Sequence, residues 1–159
     1  MAAKQAYVIQ EFLTHNLDLL CLQETWLDEN NIQLFREMAQ KSGISLTTSL
    51  PKKDKAKGEG VAVLSKKGII RNVMPSLQQL WEHNTAAVIV HAKEKGKAPV
   101  KLALFSFYSP PHRKAQADAR LKLLVTSIKE IHADIQVIVC GDYNRRLAAV
   151  EKLAELCNV

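Results

Sequence analysis

Three segments of this chain place polar side chains of particular kinds at the end of apolar runs. Glu24 follows the first of these runs and Tyr108 ends the second. Asp142 and Asn144 follow the third. A carboxylate after an apolar strand is unfavourable unless it is solvated, paired or bound to a cation. Glu24 and Asp142 have the oxygen ligands that Mg²⁺ binds while it keeps several of its waters. We therefore expect Glu24 and Asp142 to bind a cation, and Asn144 to contact a phosphate oxygen or orient a water molecule. Tyr108 could donate a hydrogen bond to phosphate.

Each of these residues also has a purely structural interpretation when it is taken alone. The sequence Gly-Asp-x-Asn at 141–144 is typical of a turn, because Gly and Asx residues serve backbone geometry. Glu24 is suited to the first turn of a helix or to an ion pair, and Tyr108 to covering the core at a strand end. Only the joint pattern favours chemistry over structure.

The elements that must position these residues are a mixture of helices and strands. Apolar residues at helical spacing predict helices over residues 3–14, 30–41, 113–132 and 146–157. Short apolar or β-branched runs predict strands over residues 18–23, 44–49, 61–65, 86–91, 100–107 and 135–140. This mixture indicates an α/β fold built in layers, in which strand ends bring polar groups from distant segments to one ligand.

Two of the predicted strands contain a cysteine within a nearly continuous apolar run. Cys21 and Cys140 are therefore expected to be small buried hydrophobic residues in a reducing compartment. With Cys157 the chain has three cysteines, and their spacing matches no CxxC or zinc pattern. A disulfide scaffold is not expected.

The composition indicates a folded domain with an uneven distribution of charge. The chain has 159 residues, 47% of them hydrophobic and 24% charged, which excludes disordered, collagen-like and coiled-coil classes and predicts one domain over 1–159. Residues 51–110 contain 11 basic and 4 acidic side chains. This excess suits a polyanionic partner, and it equally suits lysines that keep the polar loop at 51–60 soluble.

The sequence predicts neither membrane insertion nor secretion. No apolar stretch reaches the roughly 18 residues that span a bilayer, and no basic segment with an apolar core and a cleavage site opens the chain. We expect a soluble intracellular protein with no membrane partner, and a nuclear one if the source is eukaryotic.

Four motifs together resemble a known superfamily. They are LCLQETWL (20–27), GEGVAVLSKKG (58–68), FSFYSPPHRK (105–114) and VIVCGDYNRR (137–146). Their order resembles that in the endonuclease/exonuclease/phosphatase superfamily, and most of all the endonuclease domain of non-LTR (LINE-type) retrotransposons. The resemblance covers nearly the whole chain. It implies a four-layer αββα sandwich of the deoxyribonuclease type, with two mixed sheets, that cleaves phosphodiester bonds with Mg²⁺ (or Mn²⁺).

The resemblance also implies a role for each of the four polar residues. Glu24 matches the metal-binding glutamate of the LQET motif, and Tyr108 matches the active-site tyrosine. Asp142 matches the aspartate that orients or activates the attacking water, and Asn144 the asparagine that contacts the phosphate. Phosphoryl transfer depends on charge neutralisation and an in-line water more than on covalent chemistry, so these residue types suit the reaction.

Residues near the motifs have alternative interpretations that stay open. Arg145 and Arg146 are candidates for binding a nucleic-acid phosphate, or form a basic start to the last helix. Trp26 is a candidate for stacking on a base, or packs against a neighbouring layer. His112 follows the YSPP motif as a possible acid or base, although loop histidines are usually inert.

The sequence departs from the family pattern at both ends. The family domain begins with a strand that carries an asparagine and ends with an aspartate–histidine pair (typically SDH), and neither motif occurs here. We therefore expect a partial domain that lacks the first and last strands and leaves sheet edges exposed. Loss of the histidine would remove much of the transition-state stabilisation.

Three functions are compatible with these observations. The first is a Mg²⁺-dependent DNA endonuclease of the retrotransposon or abasic-site type, with DNA as its partner and a reverse transcriptase domain in the full-length element. The second is an inactive remnant that binds nucleic acid or protein. The third is a phosphatase for a phosphoinositide or another small phosphate ester. The sequence leaves the oligomeric state open.

Overall fold

The structure, a computed structural model, describes residues 2–49, 60–71, 84–92 and 100–157. These residues form four helices and seven strands. In chain order they are α1 Ala2–Thr14, β1 Leu19–Leu22, α2 Ile32–Lys41, β2 Ile44–Ser49, β3 Val61–Lys66, β4 Ile70–Arg71, β5 Thr85–Ala92, β6 Val100–Tyr108, α3 Lys114–Ile131, β7 Gln136–Asp142 and α4 Leu147–Cys157. Every helix and strand predicted from the sequence is present within a few residues of its predicted bounds. The loop predicted over 51–60 lies outside the described residues except for Gly60.

The strands form two sheets. The first sheet has the order β1-β3-β2 with both pairs antiparallel. The second has the order β4-β5-β6-β7, in which β6 and β7 are parallel and the other pairs are antiparallel. The second sheet is thus mixed, as expected. In the described residues the first sheet is purely antiparallel, which the prediction of two mixed sheets did not anticipate.

Three hydrophobic clusters separate four layers of secondary structure. One cluster lies between α1, α2 and the first sheet, and includes Phe12 and Phe35. The second lies between the two sheets and includes Val63 and Val88. The third lies between the second sheet, α3 and α4, and includes Phe105. The αββα layering expected from the sequence is therefore confirmed.

Helix α2 shows how the sequence produces the outer layer. Ile32, Phe35 and Ala39 recur at helical spacing and are the buried residues of this helix. The helix ends before Gly43, whose φ of +70° lies in the left-handed region that a side chain disfavours. This glycine lets the chain reverse directly into β2.

Strand β7 differs from its prediction as a buried strand. Its side chains alternate: Val137 and Val139 pack against the cluster beneath α3 and α4, whereas Ile138 is 46% exposed and Cys140 is also exposed. The reason is that β7 pairs only with β6 among the described strands and is covered on one face. The expected burial of Cys140 is therefore wrong. Cys21 on β1 is half-buried, and only Cys157 is fully buried.

Both sheets end in an unpaired edge on the described part of the chain. Strand β1 pairs with β3 alone, and β7 pairs with β6 alone. These two edge strands are also the ones that lead into Glu24 and Asp142. Across the residues described, no helix has the length and apolar character needed to cross a membrane.

Candidate functional site

The carboxyl ends of β1, β6 and β7 meet at one end of the sandwich. The Nε2 of Gln23, directly after β1, donates to the Oγ of Ser106 on β6 at 3.1 Å. Ser106 Oγ in turn donates to the Leu22 carbonyl at 3.0 Å. Ser106 thereby fastens the end of the first sheet to the second sheet. On β6 and β7 the last paired residues are Tyr108 and Asp142.

Two further contacts hold the loop after β7 against the loop after β6. The Ser109 amide donates to the Asp142 carbonyl at 2.8 Å, and Asn144 Nδ2 donates to the Ser109 carbonyl at 3.2 Å. Within its own loop, Asp142 Oδ1 accepts from the Asn144 amide at 2.9 Å. Lys114, at the start of α3, donates to the Asn144 carbonyl. Asp142 and Asn144 are thus held together in a fixed turn, as the GDYN pattern indicated.

The backbone is strained where the candidate residues lie. Glu24, Trp26 and Asn144 have φ values of 49°, 53° and 48°, in the left-handed region. Among non-glycine residues this conformation is tolerated mainly by Asn and Asp, so Glu24 and Trp26 are unusual. Such strain persists where the surroundings impose it, and it concentrates at functional sites. This observation supports a function for the loops at 24–26 and 142–144.

The two carboxylates differ in their surroundings but are both accessible. Glu24 is exposed and makes no hydrogen bond or ion pair within the described residues, whereas Asp142 is exposed and accepts the bond from its own turn. The described residues contain no group of three His, Cys, Asp or Glu side chains that could hold a metal ion. Zinc sites use three or four protein ligands, whereas Mg²⁺ is held by one or two carboxylates and retains water. The chemistry of the two accessible carboxylates fits a hydrated Mg²⁺ or Mn²⁺, and metal binding by Glu24 and Asp142 stays a prediction.

Tyr108 is placed at the site by its backbone, and its side chain is part of the core. Only 6% of the residue is exposed, and it belongs to the cluster between the sheets. The buried side chain of Asn84 donates to the Tyr108 carbonyl at 3.1 Å, and the Tyr108 amide donates to the Asn84 carbonyl at 2.9 Å. Asn84 was not anticipated from the sequence. The catalytic role expected for Tyr108 stays a prediction.

Trp26 lies over a cavity beside Glu24. The cavity has a volume of about 610 Å³ and is lined by residues of α1 and of the segment that follows β1. The Trp26 residue is 56% exposed, so its ring is not packed inside a layer. The exposed ring therefore favours stacking on a base over packing against a neighbouring layer as the interpretation of Trp26.

The structure gives Arg145 a structural partner that the sequence did not indicate. Its guanidinium donates to both carboxylate oxygens of Asp118 on α3, at 2.7 and 2.9 Å. It also donates to Ser109 Oγ at 2.8 Å and to the Tyr143 carbonyl at 3.1 Å. The pair is largely buried, with side-chain exposures of 12% for Arg145 and 25% for Asp118. Arg145 therefore connects α3 to both loops of the site, whereas Arg146 is exposed. The phosphate-binding role expected for both arginines stays a prediction.

Replacing Asp118 tests how much this connection stabilises the protein. We expect Asp118→Asn to lower the free energy of unfolding by about 2 kcal/mol, because it removes a bidentate charge-assisted interaction and leaves the largely buried Arg145 without its carboxylate partner. Urea unfolding measures the change. Glu130→Gln, an exposed carboxylate of the same helix, is the matched control. Equal stability of the Asp118 and Glu130 variants would contradict the assignment.

Tyr143 makes the stability of the loop depend on alkaline pH. Burial raises the pKa of the Tyr143 phenol from 10.0 to about 12, with further contributions from Cys140 and Cys157. The phenol also donates to the Val139 carbonyl at 3.2 Å. Because the folded pKa is raised, the stabilisation is complete below pH 10 and is lost as the pH rises through about 12.

This titration predicts a specific effect of Tyr143→Phe. The urea midpoint of the wild-type protein is expected to fall between pH 10 and pH 12, and that of the variant to fall less over the same interval. Unfolding curves recorded at both pH values measure the difference. Equal losses in the two proteins would show that the phenol does not titrate in the folded state as described.

The matched family settles the class of protein to which this architecture corresponds. The model of the endonuclease/exonuclease/phosphatase family matches residues 1–153. The chain belongs to this family. Its members include nucleases and phosphatases, and they are generally divalent-metal dependent. No curated protein matches the sequence significantly.

Solved structures of this family share the fold at low sequence identity. The AP endonuclease LMAP from Leishmania major is 14% identical with a TM-score of 0.66, and the alignment covers 98% of this chain and 61% of that one. The Xenopus laevis APE2 catalytic domain is 17% identical with a TM-score of 0.64, and covers 89% and 55%. D. rerio TDP2, complexed with a single-strand DNA product, is 17% identical with a TM-score of 0.56, and covers 96% and 58%. This chain thus spans little more than half the length of these structures.

Proposed function

We propose that this endonuclease/exonuclease/phosphatase family chain hydrolyses phosphodiester bonds in DNA with a divalent metal ion. The observation that carries the proposal is the meeting of the β1, β6 and β7 ends, which places Glu24 and Asp142 at one end of the sandwich with both carboxylates accessible. The strained backbone at Glu24 and Trp26 supports a functional use of the loop after β1.

Each candidate residue is proposed to have a different role in hydrolysis. Glu24 holds Mg²⁺ or Mn²⁺, which when bound neutralises charge on the scissile phosphate. Asp142 accepts a hydrogen bond from the attacking water and orients it in line with the bond that breaks, and its negative charge would also strengthen the binding of the same ion. Its Oδ1 is already engaged by the Asn144 amide, which leaves its second carboxylate oxygen for the water.

Asn144 and Tyr108 are proposed to contact the phosphate. One amide hydrogen of Asn144 is used on the Ser109 carbonyl, and an amide nitrogen carries two. The second hydrogen is therefore available to a phosphate oxygen. Tyr108 ends β6 beside Asp142, and its contribution depends on its hydroxyl reaching the phosphate from the core between the sheets.

DNA is proposed as the substrate because of the positive net charge of the chain and because of the proteins that have a similar fold. The formal net charge is +6, and Arg146 is exposed beside the site. Such charge favours phosphate-rich partners. The similar structures include an AP endonuclease and a protein complexed with a single-strand DNA product. The order of the LQET, YSPP and GDYN motifs further supports a retrotransposon-type endonuclease, which would act in the nucleus beside a reverse transcriptase domain.

Nicking of supercoiled plasmid tests the proposed function. We expect relaxed plasmid to accumulate with Mg²⁺ or Mn²⁺ and not with excess EDTA, whereas a phosphoinositide or another small phosphate ester releases no inorganic phosphate. Phosphate release without nicking would favour the phosphatase. DNA binding that weakens steeply with salt, without cleavage under either metal, would favour an inactive binding protein.

A further inference from the structure

Two thiols from opposite sheets meet below the candidate site. Cys21 lies on β1 and Cys140 on β7, and the two thiols are close enough to influence each other. Ser106 supports this proximity through geometry, because its hydroxyl donates to the carbonyl of Leu22, next to Cys21, at 3.0 Å, and it is the β6 partner of Cys140. The Cα atoms of β1 and β7 approach within 8 Å. A disulfide joins Cα atoms about 4.4–6.8 Å apart, so the bond would hold β1 and β7 at a separation of this order.

The two thiols differ in their accessibility to a dissolved oxidant. Cys140 is exposed, on the face of β7 that does not pack on α3 and α4, whereas Cys21 is half-buried between the sheets. Burial raises the pKa of the Cys21 thiol to about 12, and the neighbouring Cys140 thiol adds to the effect. Cys21 is therefore a sheltered thiol beside an accessible one. A dissolved oxidant meets Cys140 first, and Cys21 lies beside it as the resolving cysteine.

We propose that Cys21 and Cys140 are a modification site, at which an oxidant of the peroxide class forms a reversible disulfide between the two sheets. In the first step Cys140 Sγ attacks one peroxide oxygen, the O–O bond breaks, and a sulfenic acid and one water are produced. In the second step Cys21 Sγ attacks the sulfenic sulfur, the S–S bond forms, and the S–O bond breaks to release a second water. Together the two thiols lose two electrons, and these reduce one peroxide to two waters.

The location of this disulfide gives it a mechanical consequence. Cys21 precedes Glu24 by three residues, and Cys140 precedes Asp142 by two. Within the described residues both strands are edge strands, joined to their sheets on one side only. A covalent bond between them ties the two strand ends that lead to the carboxylates. Because it closes a loop of more than a hundred residues, it also restricts the unfolded chain.

Thiol counting on the full chain tests the proposal. The protein is treated with hydrogen peroxide, denatured, alkylated and digested. We expect a single alkylated cysteine, Cys157, and a peptide pair joined through Cys21 and Cys140, lighter by two hydrogen atoms and separated by dithiothreitol. The melting temperature of the oxidised protein is expected to rise by about 5 °C or more.

Serine variants make the outcome specific. Cys157→Ser is the matched control and retains the linked pair, because Cys157 lies on α4, on the far face of the second sheet. Cys140→Ser, at an exposed position, abolishes the linkage and the rise in melting temperature. Three alkylated thiols after oxidation, a disulfide between two copies of the chain, or a sulfonic acid at Cys140 with Cys21 free would each overturn the proposal. None of these readouts requires DNA cleavage, so the proposal stands or falls separately from the proposed function.

Discussion

Glu24→Gln and Asp142→Asn are each expected to reduce plasmid nicking by about 100-fold or more. Both substitutions keep the size of the side chain and remove its negative charge. Glu24→Gln weakens the hold on the metal ion, and Asp142→Asn leaves the attacking water without a charged acceptor. Initial rates of plasmid relaxation at saturating Mg²⁺ measure both losses, and unfolding curves establish that the variants remain folded.

Two carboxylates outside the site are the matched controls for this prediction. Glu151→Gln changes an exposed residue on α4, and Asp134→Asn changes an exposed residue near the opposite end of β7. Both are expected to nick at the wild-type rate. If Glu24→Gln and Asp142→Asn nick as fast as these controls, the assignment of the two residues is wrong.

Gly141→Ala is expected to disrupt the site by a different route, through the backbone. A Cβ at Gly141 would stand 1.9 Å from the carbonyl oxygen of Phe107, its paired residue on β6. Since that oxygen belongs to the backbone, β7 must move away from β6 directly before Asp142. We expect a loss of about 3 kcal/mol in unfolding free energy, together with a loss of nicking. Urea unfolding and the plasmid assay measure the two effects.

Ile138→Ala is the control for Gly141→Ala on the same strand. The Ile138 side chain is half-exposed and makes no contribution to the three buried clusters. Its truncation is expected to change stability by less than about 1 kcal/mol. A Gly141→Ala protein as stable as Ile138→Ala would show that β6 and β7 do not approach as closely as described.

The helices and most strands were predictable because their periodicity is local. Helix α2 and strand β2 were predicted from the spacing of apolar and β-branched residues, and β2 has the predicted bounds. The layering followed from the mixture of elements and from the motif order. Strand β4 was not predicted, because its two residues are too few to show any period.

The environment of β7 could not be predicted from its composition. Val137, Ile138, Val139 and Cys140 are all apolar, so the sequence shows no difference between the face that packs on α3 and the face that stays open. Only the position of β7 at the sheet edge decides the matter, and this position is a property of the assembled sheet. The run of apolar residues therefore indicated burial on both faces.

The side-chain contacts that hold the site in place could also not be predicted from the sequence. Asp118 and Arg145 lie 27 positions apart on different elements, and neither is in a pattern that indicates the other. The same holds for Asn84 and Tyr108, which are 24 positions apart. Motifs located the candidate residues, but the partners that hold those residues come from tertiary contacts alone.

A Mn²⁺ titration followed by electron paramagnetic resonance tests most directly whether Glu24 and Asp142 serve one divalent ion. The account predicts one Mn²⁺ bound per chain and weaker Mn²⁺ binding in both Glu24→Gln and Asp142→Asn. In the double variant, the loss of binding free energy is expected to be smaller than the sum of the two single losses, because both residues act on the same ion. Unchanged Mn²⁺ affinity in either single variant, or independent and additive losses in the double variant, would contradict it.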